Sequence, residues 1–212
     1  MAGFFISFEG GEGTGKSTQA KHMASHLTDA GRNVVLTREP GGTFQGEALR
    51  SLLVNGEPGD WSATAEALLN YAAREPHVRG VIAPALQRGD VVISDRFMDS
   101  TRAYQGHAGG CAMALIDALE HAVVGATRPD VTLIFDLDPV VGLARAKVRG
   151  AGIEDRYERK GLDFHHRLRA GFKAIAAADA SRCKLIDASG SEEQVFAALL
   201  LAIEGVFDGR GH

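Results

Sequence analysis

The stretch FFISFEGGEGTGKST, residues 4–18, decides the fold of this chain. It begins with the apolar run Phe4–Phe8, which is typical of a buried parallel strand. The glycine-rich part that follows fits the pattern G-x-x-x-x-G-K-[ST], whose fixed places are taken by Gly10, Gly15, Lys16 and Ser17. Apolar residues then recur at helical spacing as far as Leu27. A strand, a glycine loop and a helix in this order predict a phosphate-binding loop.

The chemistry of this loop follows from its backbone. Glycines let successive N–H groups converge on one anion, and the N-terminus of the next helix adds positive potential. Lys16 can then reach the β- and γ-phosphates of a nucleoside triphosphate, and the Ser17 hydroxyl can ligate Mg²⁺. The residues expected to bind the triphosphate are Gly10, Gly11, Glu12, Gly13, Thr14, Gly15, Lys16, Ser17 and Thr18.

Composition narrows the class of protein. The chain has 212 residues, of which 45% are hydrophobic and 24% charged, as expected of one soluble domain covering residues 1–212. A formal net charge of −4 gives no basic footprint for nucleic acid. The two cysteines, Cys111 and Cys183, lack metal-ligand spacing and favour a reducing compartment. Because the first strand begins almost at once and no apolar run reaches membrane-spanning length, we expect a cytoplasmic protein without membrane contact.

Strand and helix patterns alternate along the whole chain. Strands are predicted at Phe4–Phe8, Asn33–Thr37, Asp90–Ser94, Val131–Leu137 and Lys184–Asp187. Helices are predicted after Lys16 and at Phe44–Val54, Ser62–Gln87, Ala112–Val124, Pro139–Val148, Leu162–Ala178 and Glu192–Phe207. Pro76 should bend or break the third of these helices. The alternation predicts a three-layer α/β domain with a five-stranded parallel sheet.

Polar residues stand at the carboxyl ends of two predicted strands, where ligands of open α/β sheets bind. The loop 38–43 follows the second strand, and Asp95 and Arg96 end the third. The planar fork of Arg96 suits a monophosphate, and the Asp95 carboxylate can hold Mg²⁺ directly or through water. The alternative is a structural ion pair between these two residues. Together with the phosphate loop, they offer the two facing anion sites that phosphoryl transfer between nucleotides needs.

Together with the phosphate loop, three motifs resemble the thymidylate kinase family. They are TREPGGT at 37–43, the segment from Leu68 to Arg74, and DRFMDSTRAYQG at 95–106. The resemblance runs from the first strand to the last. It implies the P-loop nucleoside-monophosphate kinase fold, ATP and Mg²⁺ as donor and metal, phosphorylation of dTMP to dTDP, and a homodimer.

The resemblance also assigns an acceptor pocket. Tyr104 would pack beside the sugar and disfavour a 2′-hydroxyl, and Glu12 would accept a hydrogen bond from the 3′-hydroxyl of dTMP. Glu12 is unlike the rest of its loop, because a carboxylate facing the ATP phosphates would repel them. The residues implied to bind the acceptor are Glu12, Glu39, Pro40, Asn70, Arg74, Arg96, Ser100, Tyr104 and Gln105.

A basic segment near the end of the predicted helix 139–148 is the candidate lid, at about residues 145–160. It carries four cations and two glycines that can act as hinges, namely Arg145, Lys147, Arg149, Arg156, Gly150 and Gly152. Since the phosphate loop contains no arginine, the chain resembles the bacterial subgroup with a catalytic arginine in the lid. Arg149 matches that arginine best, and Arg145 would lie over the adenine. The alternative is a solvated basic loop.

One position departs from the family pattern. The phenylalanine that usually stacks on thymine is replaced by Asn70, which is followed by Tyr71. Asparagine lacks a stacking face, so either Asn70 hydrogen-bonds the base or Tyr71 turns into its place. This departure from the pattern leaves a kinase that accepts a broader range of bases as an alternative.

A nucleotide-binding switch is the rival from another class, although the chain has no N-K-x-D guanine motif. The expected catalytic residues are Lys16, Arg96 and Arg149.

Overall fold

The computed structural model describes residues 3–149 and 155–207, with the backbone alone described at 149 and 205–207. Its strands are β1 (Phe4–Gly10), β2 (Val34–Arg38), β3 (Val91–Asp95), β4 (Val131–Asp136) and β5 (Cys183–Asp187). They form one sheet in the order β2-β3-β1-β4-β5, and every neighbouring pair is parallel. The predicted five-stranded parallel sheet is therefore confirmed.

Helices connect the strands. Their bounds are α1 (Lys16–Asp29), α2 (Phe44–Val54), α3 (Ala63–His77), α4 (Ala83–Gln87), α5 (Met98–Thr101), α6 (Met113–Val123), α7 (Pro139–Arg149), α8 (Leu162–Ala178) and α9 (Glu192–Phe207). A wider, π-helical stretch follows α5 at Arg102–Ala108. The apolar pattern did not predict helix over 98–108. Among the helices within the described ranges, none is both long enough and apolar enough to cross a membrane.

Pro76 changes the helical winding without breaking the helix. Helix α3 runs through Pro76 to His77, and a π-helical turn at Val78–Ile82 then leads directly into α4. The N–H of Val78 bonds to the carbonyl groups of both Arg74 and Glu75. Proline has no N–H to bond one turn back, and the wider turn that follows accommodates the missing bond. The sequence predicts a bend or a break at Pro76, and the structure shows no break there but a change of winding after His77.

The core lies on both faces of the sheet, as the alternation of side chains along β1 requires. On one face Phe4, Ile6 and Phe8 pack in a cluster with residues of α1 and α9. On the other face Phe5 packs in a cluster with residues of α3 and α6, which include Tyr71. The sheet and the helices packed on each of its faces through these clusters make the three layers of the predicted fold.

The site follows from the strand order. Strand β1 lies between β3 and β4, so the chain builds outward to β2 on one side and to β5 on the other. The loops after neighbouring strands part at this switch point and leave a crevice at their carboxyl ends. The glycine loop after β1, the loop 38–43 after β2 and the turn at 95–97 after β3 all lie at that edge.

Candidate active site

Glycine is required in the loop after β1 for two reasons. Gly10, Gly13 and Gly15 have φ angles of 136°, 66° and 87°, in the region that residues with side chains rarely adopt. Gly13 also lies against α7, where an added Cβ would stand 1.9 Å from the carbonyl oxygen of Gly142. The contact is reciprocal, since a Cβ on Gly142 would stand 2.4 Å from the backbone carbonyl oxygen of Glu12. The loop therefore rests directly on the α7 backbone.

Lys16 is held inside the loop at the first position of α1. Its side chain is buried, and Nζ donates to the Gly11 carbonyl at 2.6 Å and to Thr14 Oγ1 at 3.1 Å. Burial lowers the pKa of Lys16 to about 8 and Arg96 acts in the same direction, while Glu12 and other carboxylates oppose them. Bound phosphate would favour the charged form of Lys16, because an adjacent anion stabilises a buried cation.

Two oxygen groups meet beside the loop. The Ser17 hydroxyl donates a hydrogen bond to the carboxylate of Asp95 at the end of β3. Hydroxyl and carboxylate oxygens suit Mg²⁺, which binds through few protein groups and takes its other ligands from phosphates and water. Across the described residues, no group of three or more His, Cys, Asp or Glu side chains could hold a metal ion. The donor set therefore fits a magnesium ion that arrives with a nucleotide.

Arg96 is held in place both by its backbone conformation and by its side-chain hydrogen bonds. Its φ of 71° is left-handed, which for a residue with a side chain costs on the order of 1–3 kcal/mol and recurs at functional sites. Its Nη1 donates to the Gly10 carbonyl at 2.8 Å and to Ser100 Oγ at 3.2 Å, and its Nη2 donates to Glu12 at 3.1 Å. The guanidinium thus joins the glycine loop to the segment after β3.

Glu12 faces the groups that the sequence assigns to the acceptor. Its Oε1 accepts from Arg96 and from the Tyr104 hydroxyl, the latter at 2.5 Å. Burial alone would raise the pKa of Glu12, but Arg96, Lys16 and Tyr104 outweigh burial and lower it to about 2. The Arg96 guanidinium also stands 4.9 Å from the centre of the Tyr104 ring. Glu12 is therefore an anion at neutral pH.

Sequence reasoning missed Glu9. Its carboxylate is fully buried, accepting from the Phe97 N–H at 2.8 Å and from Ser100 Oγ at 2.5 Å. Burial and the nearby Asp99 raise the pKa of Glu9 to about 7, although Ser100 and Arg96 oppose them. The available signal was a charged residue within an otherwise buried strand. Glu9 fixes the turn that carries Arg96.

Replacing Glu9 with glutamine is expected to remove a pH dependence of stability. The folded protein keeps a proton on Glu9 between pH 4.5 and about 7 that the unfolded chain releases, so this group lowers stability as pH rises through that window. The size is on the order of a few kcal/mol, since one pKa unit corresponds to about 1.4 kcal/mol. Urea unfolding from pH 5 to 8 measures it, with the exposed Glu75→Gln as control. Parallel curves for wild type and Glu9→Gln would contradict the assigned pKa.

The predicted acceptor residues line one cavity of about 110 Å³. It is bordered by Glu12, Glu39, Pro40, Asn70, Arg74, Arg96, Ser100, Tyr104 and Gln105. Sequence reasoning missed other residues of the lining, namely Arg50, Val54, Phe97, Thr101, Tyr157 and Glu158. These come from α2, from the turn after β3, from α5 and from the segment that begins at residue 155, and no local pattern links these segments.

Arg74 is buried in the wall of this acceptor cavity. Its Nε donates to Glu39 at 2.6 Å, and its Nη2 donates to the Phe97 carbonyl and to Thr101, both at 3.1 Å. Its Nη1 is buried and has no hydrogen-bond partner among the described residues. Glu39 also bonds His77 at 2.9 Å, so its carboxylate serves chiefly to anchor Arg74. The Nη1 group of Arg74 therefore remains as a hydrogen-bond donor for a ligand.

The structure tests whether Tyr71 takes the place of the phenylalanine that is missing at position 70. Tyr71 is only 2% exposed and packs in the core with α6, so a Tyr71 turned into the acceptor cavity is wrong. Asn70 borders the cavity, and its Nδ2 donates to the Glu66 carbonyl at 2.8 Å. The aromatic ring of Tyr157, from a distant part of the chain, also borders the acceptor cavity. The Tyr157 ring stands edge-on to Tyr104 with centres 5.4 Å apart.

The lid arginines differ in what they contact. Arg145 donates to the Ala188 carbonyl at 3.2 Å, in the loop after β5. Arg156 is fully buried, and its guanidinium donates to Glu66 at 2.6 Å and to the Glu57 carbonyl at 2.9 Å. Its placement among the lid cations is corrected, because it anchors the segment to the α2–α3 region.

The rest of the lid prediction lies outside the described residues. The backbone of Arg149 ends α7, but its side chain is not described. The glycines predicted as hinges, Gly150 and Gly152, fall in the gap between 149 and 155. The catalytic assignment of Arg149 therefore stays a prediction.

A larger cavity of about 770 Å³ adjoins the acceptor cavity. Its wall includes residues 12–17, which contain Lys16 and Ser17, and Asp95 at the end of β3. Both cavities are bordered by Glu12, Glu39, Arg50, Arg96 and Glu158. The wall between the two cavities thus carries two arginines and three glutamates, and Arg96 borders both cavities.

Comparison with known proteins agrees with this geometry. The family model described as thymidylate kinase matches residues 8–199. The chain is 55% identical to the thymidylate kinase of Caulobacter vibrioides over 93% of this chain and 94% of the relative. It is 50% identical to that of a Bradyrhizobium species, covering 91% of this chain and 86% of the relative.

A solved structure extends the likeness to the fold. The crystal structure of thymidylate kinase from Ehrlichia chaffeensis superposes with a TM-score of 0.77 at 34% identity, covering 96% of this chain and 100% of that one. The P-loop nucleoside-monophosphate kinase fold is thus confirmed. On these matches and on the motifs that line its two cavities, the chain belongs to the thymidylate kinase family.

Proposed function

We propose that the protein transfers the γ-phosphoryl group of ATP to the phosphate of dTMP, giving ADP and dTDP. The observation that carries the proposal is the pair of adjoining cavities, one walled by the phosphate loop and the other by the predicted acceptor residues. Membership of the thymidylate kinase family supports dTMP as the acceptor.

Transfer needs little proton chemistry in this site. A phosphate oxygen of dTMP is already a nucleophile, so the protein acts by holding the two phosphates in line and by neutralising charge. Lys16 contributes a cation to the donor phosphates, and Arg96 offers a planar fork to the acceptor phosphate. Ser17 and Asp95 would hold Mg²⁺, which when bound neutralises charge on the β- and γ-phosphate oxygens.

Arg149 remains our choice for the cation that acts on the transferred group. Other described arginines near the lid have assigned partners, since Arg156 is paired with Glu66 and Arg145 bonds Ala188. The phosphate loop carries no arginine of its own. The C-terminal position of Arg149 on α7 is compatible with this role because Gly142, on the same helix, packs against the loop.

Replacing Glu12 with glutamine is expected to weaken use of dTMP while KM for ATP changes little. The glutamine keeps the size and one acceptor oxygen, but it loses the charge that pairs with Arg96 and that would bind the 3′-hydroxyl. A hydrogen bond to a charged group contributes about 1.5–3 kcal/mol, so kcat/KM for dTMP should fall on the order of tenfold or more.

The control for Glu12→Gln is the acceptor 3′-deoxy-dTMP, which lacks the hydroxyl. Its kcat/KM should fall less than that of dTMP on mutation, because the contact is already missing. Tyr104→Phe is the matched variant, since it removes the hydroxyl that donates to Glu12 and keeps the carboxylate. Equal losses for dTMP and 3′-deoxy-dTMP would refute a Glu12–3′-hydroxyl contact.

We also propose a homodimer located in the cytoplasm, which the family resemblance supports. Exposed apolar side chains on α2 and α3, Leu52 and Leu68, offer area to a second copy. Sedimentation equilibrium of the purified chain measures the oligomeric state.

The rival in another class is a nucleotide-binding switch that transfers no phosphate to a metabolite. Incubation with ATP, Mg²⁺ and dTMP should yield ADP and dTDP in equal amounts, measured by anion-exchange chromatography. Omitting dTMP should leave ATP nearly intact over the same period. Binding of ATP without formation of dTDP would support the switch and overturn the kinase.

A further inference from the structure

Glu66 on α3 lies at the centre of a buried network next to the acceptor cavity. It is 1% exposed. Its Oε1 accepts from Arg156 at 2.6 Å and from Lys160 at 3.0 Å. Its Oε2 accepts from the side-chain amide of Gln105 at 2.8 Å. One carboxylate therefore joins the anchored segment at 155–160 to a residue that lines the cavity.

This contact determines which way the Gln105 amide faces. A carboxylate can only accept, so Gln105 must turn its Nε2 toward Glu66. The same Nε2 donates to the Tyr157 hydroxyl at 3.3 Å. With both N–H groups directed at protein oxygens, the group of the amide that remains for a ligand is the carbonyl oxygen. Gln105 thus offers an acceptor in a cavity where Arg74 offers its spare donor.

A donor beside an acceptor matches one kind of base edge. Thymine and uracil present the O4 acceptor next to the N3–H donor, whereas cytosine presents an amino donor next to the N3 acceptor. The spare Nη1 of Arg74 suits O4, and the Gln105 oxygen suits N3–H. Cytosine would set donor against donor and acceptor against acceptor, leaving buried polar groups unpaired.

We infer that Glu66 is a specificity-determining positioning residue, which fixes the amide of Gln105 so that the acceptor cavity selects thymine over cytosine. The inference rests on the proposed dTMP kinase function. Glu66 touches no substrate, and it acts through Gln105. The neighbouring Asn70 is oriented separately, since its Nδ2 donates to the Glu66 backbone carbonyl, a contact that a change of the Glu66 side chain leaves in place.

The substitution Glu66→Gln should reverse the amide. Two cations lie on the Oε1 side, Arg156 and Lys160, so a glutamine here would turn its oxygen toward them. Its NH₂ group would then face Gln105. Gln105 would have to rotate to accept from it, and would present its own NH₂ group to the base edge. The cavity would then offer two donors, of which the one from Gln105 suits the N3 acceptor of cytosine.

The test measures kcat/KM for dTMP, dUMP and dCMP in wild type and in Glu66→Gln. The dTMP/dCMP ratio should fall tenfold or more in the variant, since sites that hydrogen-bond a substrate group discriminate strongly against analogues that lack it. The dTMP/dUMP ratio should stay unchanged, because these bases share one edge. Glu57→Gln is the matched control, as Glu57 holds the same segment through Arg159 without touching Gln105.

An unchanged dTMP/dCMP ratio in folded Glu66→Gln would overturn the inference, and so would an equal change in the dUMP ratio, which would indicate a general loosening. If Glu66→Gln does not fold, Glu66→Asp keeps the charge opposite Arg156 and withdraws the second oxygen from Gln105. Its dTMP/dCMP ratio should also fall, and an unchanged ratio there would overturn the inference. A wild type that fails to phosphorylate dTMP would contradict the proposed function instead.

Discussion

Replacing Lys16 with alanine is expected to lower kcat by on the order of 10²–10³-fold while the fold survives. The Lys16 ammonium group donates to its own loop, at Gly11 and Thr14, and Lys16 belongs to none of the hydrophobic clusters of the described residues, so its loss should leave the core intact. A cation preset beside the donor phosphates stabilises developing charge more than a free cation in solution does, because no reorganisation is needed when the charge develops. The loss should appear in kcat, because the charge on the transferred group changes most in the transition state.

The matched control for this effect is Lys21→Ala. Lys21 is exposed on α1 and borders the same large cavity, so it tests whether any nearby cation suffices. Steady-state rates of ADP release and thermal unfolding of both variants measure the outcome. Near-normal turnover in a folded Lys16→Ala protein would refute the role of the glycine loop as the donor site.

Replacing Arg156 with alanine is expected to lower the free energy of unfolding by about 3–5 kcal/mol. Removing one partner of a buried ion pair leaves the other charge poorly compensated, and here the buried carboxylate of Glu66 would keep only Lys160 as a cationic partner. The substitution also leaves the Leu53 and Glu57 carbonyl groups without the guanidinium that they accept from.

Arg159→Ala is the control for Arg156→Ala because it lies in the same segment. Its guanidinium pairs with Glu57 and Asp155 at the surface, where ion pairs contribute at most about 1 kcal/mol. Urea unfolding of the two variants compares them. An Arg156→Ala protein as stable as Arg159→Ala, yet without turnover, would return Arg156 to the catalytic lid arginines and displace Arg149.

Much of the fold could be predicted from local pattern. The predicted strands differ from the observed ones by two residues or fewer at each end, because their apolar runs are short and bounded by polar loops. The helical stretch at 98–108 was missed for a functional reason. Ser100, Tyr104 and Gln105 turn toward the acceptor cavity, so residues selected for binding interrupt the apolar periodicity that marks a helix.

The candidate site likewise contains residues that local pattern predicts and residues that it does not. Motif positions such as Lys16 and Arg96 could be found because their chemistry follows from a strand end and a glycine loop. The pairing of Glu66 with Arg156 joins residues 90 positions apart, and no local pattern encodes such a contact. Tyr157 reaches the cavity through the same anchored segment, which only tertiary structure brings there.

The most direct test of the central claim is kcat/KM of the wild-type protein, with ATP and Mg²⁺, for dTMP, dUMP, dCMP and dGMP. Asn70 stands where a stacking ring is usual, but Arg74, Tyr104 and Gln105 line the acceptor cavity, and we propose that they contact the base edge and the sugar. Hydrogen bonds to a base edge discriminate strongly because a wrong base leaves buried groups unpaired. We expect dTMP to be the preferred acceptor, and an enzyme that used dCMP or dGMP as well as dTMP would contradict the thymidylate assignment.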